Sequence, residues 1–551
     1  MIENTLKLID LKQKSLLVIV LILALALRVF SLDKFPAGFN ADEAAIGYNA
    51  YSIIKTGRDE YGELLPLAFK SFGDYKPGLY FYFVLPFVAS LGLNEWAVRL
   101  PSALLGAGMV VLIYLLAKEI FKDRKISFFA AFFLAINPWA IHFSRGGWET
   151  NAATFFITLG VLFLVKSLDK KLYLFLSLLA FLVSMYLYQS PRLVAPGFLI
   201  LSGVFFHKEI LNGIRKNAKK AGLGFVILAI LTIPIILQFV SGSGSARFTG
   251  LSFLSDPGPA NRVNELRGQH TNPNGIMAKA SHNKMTAYFS NFLGHYLDHY
   301  SADFLFINGD PLIRNKVPEV GQFYLIQAVF LIFGAIFLIK FESRLKYFLL
   351  VWILVAPLAS SMTYQTPHAV RALNLVVPLT LVMAFGFIGM LRLMKIRKVK
   401  LVAGILLLII LSFEFVRYLE SYYVHYPKRY PLSWEYGFPE MVDKLQKYRN
   451  DFSQIVITDR YDQPYILVLF YEKYDPVKYQ PQAVLSERDK FNYGTVRKFD
   501  KYEFHKITRD EILQRKNILF VAAPEETDET MNVIDAVYFP NGEKAFVFVK
   551  S

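Results

Sequence analysis

Two carboxylates, Asp42 and Glu43, stand side by side in Asn40-Ala41-Asp42-Glu43-Ala44-Ala45, shortly after the first strongly apolar stretch of the chain. Further along the same polar segment come Asp74 and Lys76, in Gly73-Asp74-Tyr75-Lys76-Pro77-Gly78. These residue types suit two kinds of chemistry. A carboxylate accepts a proton or caps a helix, and an ammonium group holds an anion. With a helix expected over 44–55, Asp42 is placed to accept backbone N–H bonds and complement the helix dipole. On the pair alone both alternatives stay open; the recurrence of a carboxylate and a Lys-Pro turn in one segment favours chemistry.

The elements that must hold these residues are apolar. Hydrophobic residues make up 54% of the 551. They fall in blocks, at 16–31, 97–117, 126–141, 150–165, 172–188, 193–206, 221–240, 322–339, 347–362, 372–391 and 401–416. Each is close to the length a helix needs to cross about 30 Å of hydrocarbon. The first run has no small-residue cleavage site and reads as a retained helix. The segment 78–93 is shorter and contains Pro86, which fits an interfacial or re-entrant helix better than a span.

Charge orients the chain. The formal net charge of +16 would draw attention to nucleic acid if it formed a groove, but Lys and Arg cluster in short loops between apolar runs. With 78–93 not crossing, 23 basic residues collect on one side, from Lys7 through Lys122, Lys170, Lys216 and Arg344 to Lys400. The short loops opposite carry only Arg145, Arg192 and Arg371. By the positive-inside rule the first side is cytoplasmic. Segments 32–96 and 241–321 and everything after about residue 420 then lie outside. Ser241-Gly-Ser-Gly-Ser245 reads as flexible. The pattern after 420 alternates helical and strand-like stretches: a helix near 440–449, strands near 454–457, 518–522 and 544–549, and an apolar stretch near 466–471. The expected fold class is a mostly α polytopic membrane protein with about eleven spanning helices and an interfacial helix. A transmembrane domain covers 1–420 and a soluble extracytoplasmic α/β domain 421–551.

Three features together resemble a known family: Asp42-Glu43 after the first helix, Lys76-Pro77-Gly78-Leu79-Tyr80-Phe81, and Trp96-Ala97-Val98-Arg99-Leu100-Pro101-Ser102. They are similar to the N-terminal half of GT-C glycosyltransferases, over roughly residues 15–200. The nearest groups are protein O-mannosyltransferases, lipid A aminoarabinose transferases and rhizobial lipopolysaccharide-core transferases. The resemblance implies a GT-C-like fold and an inverting enzyme that takes a sugar from a polyprenyl phosphate on the outer face. Asp42 would be the catalytic base with Glu43 beside it, and Lys76 would match the Lys of a Lys-Pro-Pro turn. Gly78 replaces the second proline, and Tyr75 stands where some members carry an acidic residue used in a metal site.

The chemistry agrees with that reading. A sugar hydroxyl is a poor nucleophile and needs a carboxylate to take its proton, while a departing phosphate needs preorganised cations. Candidates for the donor phosphate are Lys76, Arg99, Arg145, Arg192 and Arg371; each arginine could equally snorkel to the interface. Asp74, Glu149 and His368 are acceptor-side or auxiliary candidates. His295, Asp298 and His299 form only a weak metal pattern and read as solvent-facing. No cofactor is indicated, and a divalent metal stays open. The expected partners are a polyprenyl-phosphate sugar donor, a glycan, lipid or protein acceptor, and membrane lipids, with no nucleic acid. A transporter or flippase of lipid-linked saccharides is the rival class, although its site would lie nearer the membrane midplane.

Overall fold

The computed structural model describes residues 2–72, 74–170, 172–216, 218–240, 252–487 and 494–551. The Ser-Gly stretch 241–245 lies outside them. The chain divides into two compact units. The first comprises Met1–Leu27, Gly106–His142 and Thr150–Val416, and the second Arg28–Leu105, Phe143–Glu149 and Arg417–Ser551.

Among the described residues, six helices are long and apolar enough to cross a membrane: Glu95–Phe121, Glu149–Ser167, Pro191–Leu211, Gly222–Val240, Leu373–Leu393 and Arg397–Arg429. A seventh candidate is the pair Arg124–Ile136 and Pro138–Arg145, bent by 53°. The bend has a local cause: Asn137 precedes a proline, takes an extended conformation, and accepts Ala140 N at 2.8 Å through its side chain. Five apolar helices are shorter: Ser15–Val29, Leu79–Leu91, Leu172–Leu187, Ile326–Lys340 and Lys346–Ser361.

Within the first unit, the helices Ile326–Lys340 and Val376–Leu393 approach each other through glycine. A Cβ on Gly334 would lie 2.1 Å from the Val382 carbonyl oxygen, and one on Gly386 would lie 1.9 Å from that of Phe330. Small residues on both faces let the backbones meet, which is how helices associate where burial gives no hydrophobic gain.

The second unit contains a two-stranded hairpin, β1 (Ala68–Ser71) with β2 (Asp74–Pro77). It also contains a seven-stranded sheet built from β3 (Gln454–Ile457), β4 (Val484–Leu485), β5 (Val496–Phe499), β6 (Tyr502–Phe504), β7 (Ile518–Ala522), β8 (Val533–Tyr538) and β9 (Lys544–Lys550). The strand order is β4-β5-β6-β3-β7-β9-β8, with β3 parallel to β6 and β7 and the outer pairs antiparallel. The central strands are continuously apolar because both faces are covered; Val456, Phe520, Val547 and Val549 form part of that core. The helix Ala41–Thr56 is buried along most of its length in this unit. At Gly47 it passes close to Phe470, and a Cβ there would stand 2.5 Å from that ring.

Candidate active site

The first turn of the helix Ala41–Thr56 separates the two adjacent carboxylates. Asn40 is the N-cap: its side chain accepts Glu43 N at 3.1 Å, and Glu43 Oε2 accepts Asn40 N at 3.3 Å in return. This corrects the expectation that the helix starts at 44 with Asp42 as its cap. Asn followed three residues later by Glu closes a reciprocal capping box, so the helix starts earlier and Asp42 stands inside its first turn. Successive helical side chains are about 100° apart at 3.6 residues per turn, so the neighbours face different surroundings. Glu43 is buried, whereas the Asp42 side chain is 34% exposed.

Glu43 holds a scaffold. Its Oε1 accepts Arg99 Nε and Gly147 N, both at 2.8 Å, and its Oε2 accepts Arg99 Nη2 at 3.0 Å and Asn40 Nδ2 at 3.2 Å. A Cβ at Gly147 would meet Val98 Cγ1 at 3.0 Å and Glu43 Cγ at 3.3 Å, which explains the glycine at that close approach. The remaining Arg99 donors go to backbone: Nη1 to the carbonyls of Leu32 (2.9 Å) and Pro36 (3.3 Å), Nη2 to that of Gly38 (2.5 Å). A guanidinium has five N–H groups, and these contacts engage all of them.

Arg145 does the same for neighbouring carbonyls. Its Nη2 donates to Phe30 O at 2.7 Å, Phe35 O at 3.0 Å and Ser31 O at 3.4 Å, and its Nε to Tyr422 Oη at 3.2 Å. The cation also lies over the rings of Tyr422 and Tyr423. Two buried arginines thus satisfy the carbonyls of the turn that leads from the first helix to Asp42. Gly38, at φ +114°, passes so close to Trp434 that a Cβ would fall 2.2 Å from its carbonyl oxygen. Glu435 Oε2 receives Ala41 N at 2.9 Å. The sequence pointed Arg99 and Arg145 toward a lipid phosphate; in the structure both are buried and bound to protein groups.

Asp42 is ion-paired with Lys76. Lys76 lies on β2 opposite Phe69 of β1, with its ammonium 5.8 Å from the centroid of the Phe72 ring. The hairpin also accounts for Gly78. Its N–H donates to Leu67 O at 3.0 Å, and a Cβ would lie 2.8 Å from that oxygen, so a second proline would lose the bond and crowd the acceptor. Asp74 is buried and turned back on its own strand, accepting Tyr75 N at 2.7 Å. Glu149 is buried at the start of the helix Glu149–Ser167.

The other candidates belong to the first unit. Arg192 donates to Gln238 Oε1 at 2.8 Å and Met185 O at 3.2 Å. Arg371 donates to Thr363 Oγ1 at 2.6 Å and Gln365 Oε1 at 3.5 Å. His368 is buried, with Nδ1 3.9 Å from Asp310 Oδ2. His299 is not solvent-facing. It is fully buried, bonded through Nδ1 to His295 O at 2.8 Å and through Nε2 to Ser360 Oγ at 2.7 Å, and burial pushes its pKa down to about 4. Among the described residues, no three His, Cys, Asp or Glu side chains gather as metal ligands do.

Asp310 and Glu60 are among the buried carboxylates that escaped the sequence reading. Asp310 accepts Ala369 N at 2.5 Å and Leu312 N at 2.7 Å, and burial raises its pKa. Glu60 accepts Asn49 Nδ2 at 3.0 Å and Tyr465 Oη at 3.3 Å; burial pushes its pKa up to about 8 despite the Asn49 hydrogen bond. Arg58-Asp59-Glu60-Tyr61-Gly62 has the composition of a solvated turn, and nothing in it signals burial.

Comparison with known proteins defines the fold. The chain is similar in fold to ArnT from Cupriavidus metallidurans, solved bound to undecaprenyl phosphate, with a TM-score of 0.55 and 12% identity over 97% of both chains. It is also similar to the archaeal oligosaccharyltransferase AglB from Archaeoglobus fulgidus, solved with an inhibitory peptide and a dolichol-phosphate. That match has a TM-score of 0.50 and 14% identity over 83% of this chain and 63% of AglB, so the chain spans less than two thirds of that relative. An Archaeoglobus fulgidus oligosaccharyltransferase tethered with an acceptor peptide gives a TM-score of 0.51 at 14% identity, covering 97% of this chain and 74% of that one. The fold is that of the GT-C glycosyltransferases that use polyprenyl-phosphate carriers, and the chain is an integral membrane protein. Residues 76–237, which carry Lys76, Arg99, Arg145 and Arg192, match the family described as dolichyl-phosphate-mannose-protein mannosyltransferase. No curated protein matches the chain significantly by sequence.

Proposed function

We propose that this protein transfers a sugar from a polyprenyl-phosphate carrier to a hydroxyl of a glycan, lipid or protein acceptor, inverting the anomeric configuration. The observation that carries the reading is the division of labour between Asp42 and Glu43. Glu43 is fully engaged in holding the scaffold, while Asp42, on a fixed turn, keeps a partly exposed carboxylate against the ammonium of Lys76. Asp42 accepts the proton of the acceptor hydroxyl as the new O–C1 bond forms. The old C1–O bond to phosphate breaks with its electron pair on the carrier, and Lys76 is the cation for that developing charge.

Arg99 and Arg145 serve as clamps, and Asp74 and Glu149, in the same unit as Asp42 and Lys76, are the auxiliary candidates. The topology that suits this reading has about eleven spans, a cytoplasmic N-terminus, and 421–551 as an extracytoplasmic α/β domain. Purified protein given a polyprenyl-phosphate sugar and an acceptor should form a new glycosidic bond. Movement of the lipid across a bilayer with no bond made would favour a transporter.

A further inference from the structure

The helix Lys284–Asp298 has a surface in three sectors rather than two. One faces the protein: Tyr288 Oη donates to Asp256 O at 2.9 Å, Tyr296 Oη to Leu354 O at 2.8 Å, and the Phe292 ring lies 5.8 Å from that of Phe253. A second sector is polar and exposed, formed by Ser290, Gly294 and Asp298. The third is apolar and also exposed: Met285, Phe289, Leu293 and Leu297, spaced by four, are 80%, 66%, 43% and 55% accessible. Ile276 and Met277, on the short helix Ile276–Ser281, are also apolar and exposed.

A helix between protein and water needs only two faces. A third, apolar and uncovered beside a polar one, is the pattern of a helix lying in a membrane interface. The structure shows what the stripe adjoins. Tyr296, next to Leu297, bonds the carbonyl of Leu354, and Tyr300 Oη bonds that of Ile353 at 2.5 Å. Both acceptors lie on the apolar helix Lys346–Val355, whose Leu350 and Leu354 are themselves exposed. The stripe therefore adjoins the exposed apolar flank of the helix Lys346–Val355.

We propose that Met285, Phe289, Leu293 and Leu297 rest in the acyl-chain boundary of the bilayer, so that Lys284–Asp298 is a lipid-seated interfacial helix. Its seat bears on a site candidate. His299, at the end of this helix, accepts Ser360 Oγ at 2.7 Å and His368 N at 3.3 Å, so the depth of the helix in lipid sets the turn that carries His368 and Arg371.

The test uses the full chain in lipid nanodiscs. The sequence contains no cysteine, so Phe289→Cys, Leu293→Cys and Ser290→Cys each give a single site for a spin label. All three positions are exposed, so the labels should not disturb packing. Collision with oxygen, which concentrates in lipid, is compared with collision with a water-soluble nickel chelate. The labels at 289 and 293 should show a several-fold higher oxygen-to-nickel ratio than the label at 290. Equal nickel access at all three would place the stripe in water, and shielding of 289 and 293 from both reagents would mean that protein covers it; either result overturns the proposal.

Discussion

Arg99 meets Glu43 through two parallel bonds, Nε to Oε1 at 2.8 Å and Nη2 to Oε2 at 3.0 Å, with both side chains removed from solvent. The pair ties the helix Glu95–Phe121 to the first turn of the helix Ala41–Thr56, and Gly147 N completes the carboxylate from a third segment. A planar fork with five donors suits this site, and a lysine ammonium does not. The geometry of Asp42 depends on the pair, although neither partner needs to touch substrate.

Breaking the pair from one side should therefore be costly. Arg99→Met leaves the Glu43 carboxylate buried without its cation, and such losses run to about 3–5 kcal/mol. The double variant Glu43→Gln with Arg99→Met should recover part of that loss. Thermal unfolding of the four proteins in a double-mutant cycle measures the coupling. If Arg99→Met unfolds at the wild-type temperature, the scaffold role is wrong.

Glu60 makes stability depend on pH. Its folded pKa is raised from 4.5 to about 8 by burial, so the folded state holds a proton that the unfolded state releases. A raised pKa stabilises fully below the unfolded value, and this contribution is lost as pH rises through the folded one. Wild-type stability should accordingly fall between about pH 4.5 and pH 8, and Glu60→Gln, which stays neutral, should fall less steeply over that window. Parallel melting curves for the two proteins would show it; identical slopes would mean that Glu60 is ionised in the fold.

Topology is open to direct labelling because the chain offers no competing thiol. Single cysteines at Asn94 and Tyr364 should react with an impermeant reagent added outside intact cells, and those at Ser167 and Ile396 should not. Reaction at Ser167 from outside would reverse the orientation.

Several of these features were legible in the sequence for physical reasons. Apolar runs and charge bias depend on composition alone, so the helical body could be read from them. The helix Phe438–Tyr448 and the strands Gln454–Ile457 and Ile518–Ala522 coincide with segments whose periodicity announced them. Asp42 and Lys76 could be named, but their contact across 34 positions follows from the β1–β2 hairpin returning to the helix start, which no local pattern encodes. Arg99 and Arg145 look alike in sequence to any exposed phosphate-binding arginine. What distinguishes them is a set of carbonyls from 30 to 38 that converge only in the fold. Burial of Glu60 and His299 was hidden for the same reason, since short polar stretches near the membrane carry no signal of what packs over them.

The central claim concerns one carboxylate and one kind of donor. Asn40, not Asp42, caps the helix, so Asp42→Asn should fold, with a loss of about 0.3–1 kcal/mol from the weaker helix-dipole interaction. The decisive measurement is acceptor-dependent release of polyprenyl phosphate from a polyprenyl-phosphate sugar, by wild type and Asp42→Asn side by side in nanodiscs. Release by wild type should require the acceptor, should not be replaced by transfer from a nucleotide sugar, and should drop by about 10² or more in folded Asp42→Asn. Near-normal release by that variant, or transfer from a nucleotide sugar with no lipid carrier present, would contradict the account.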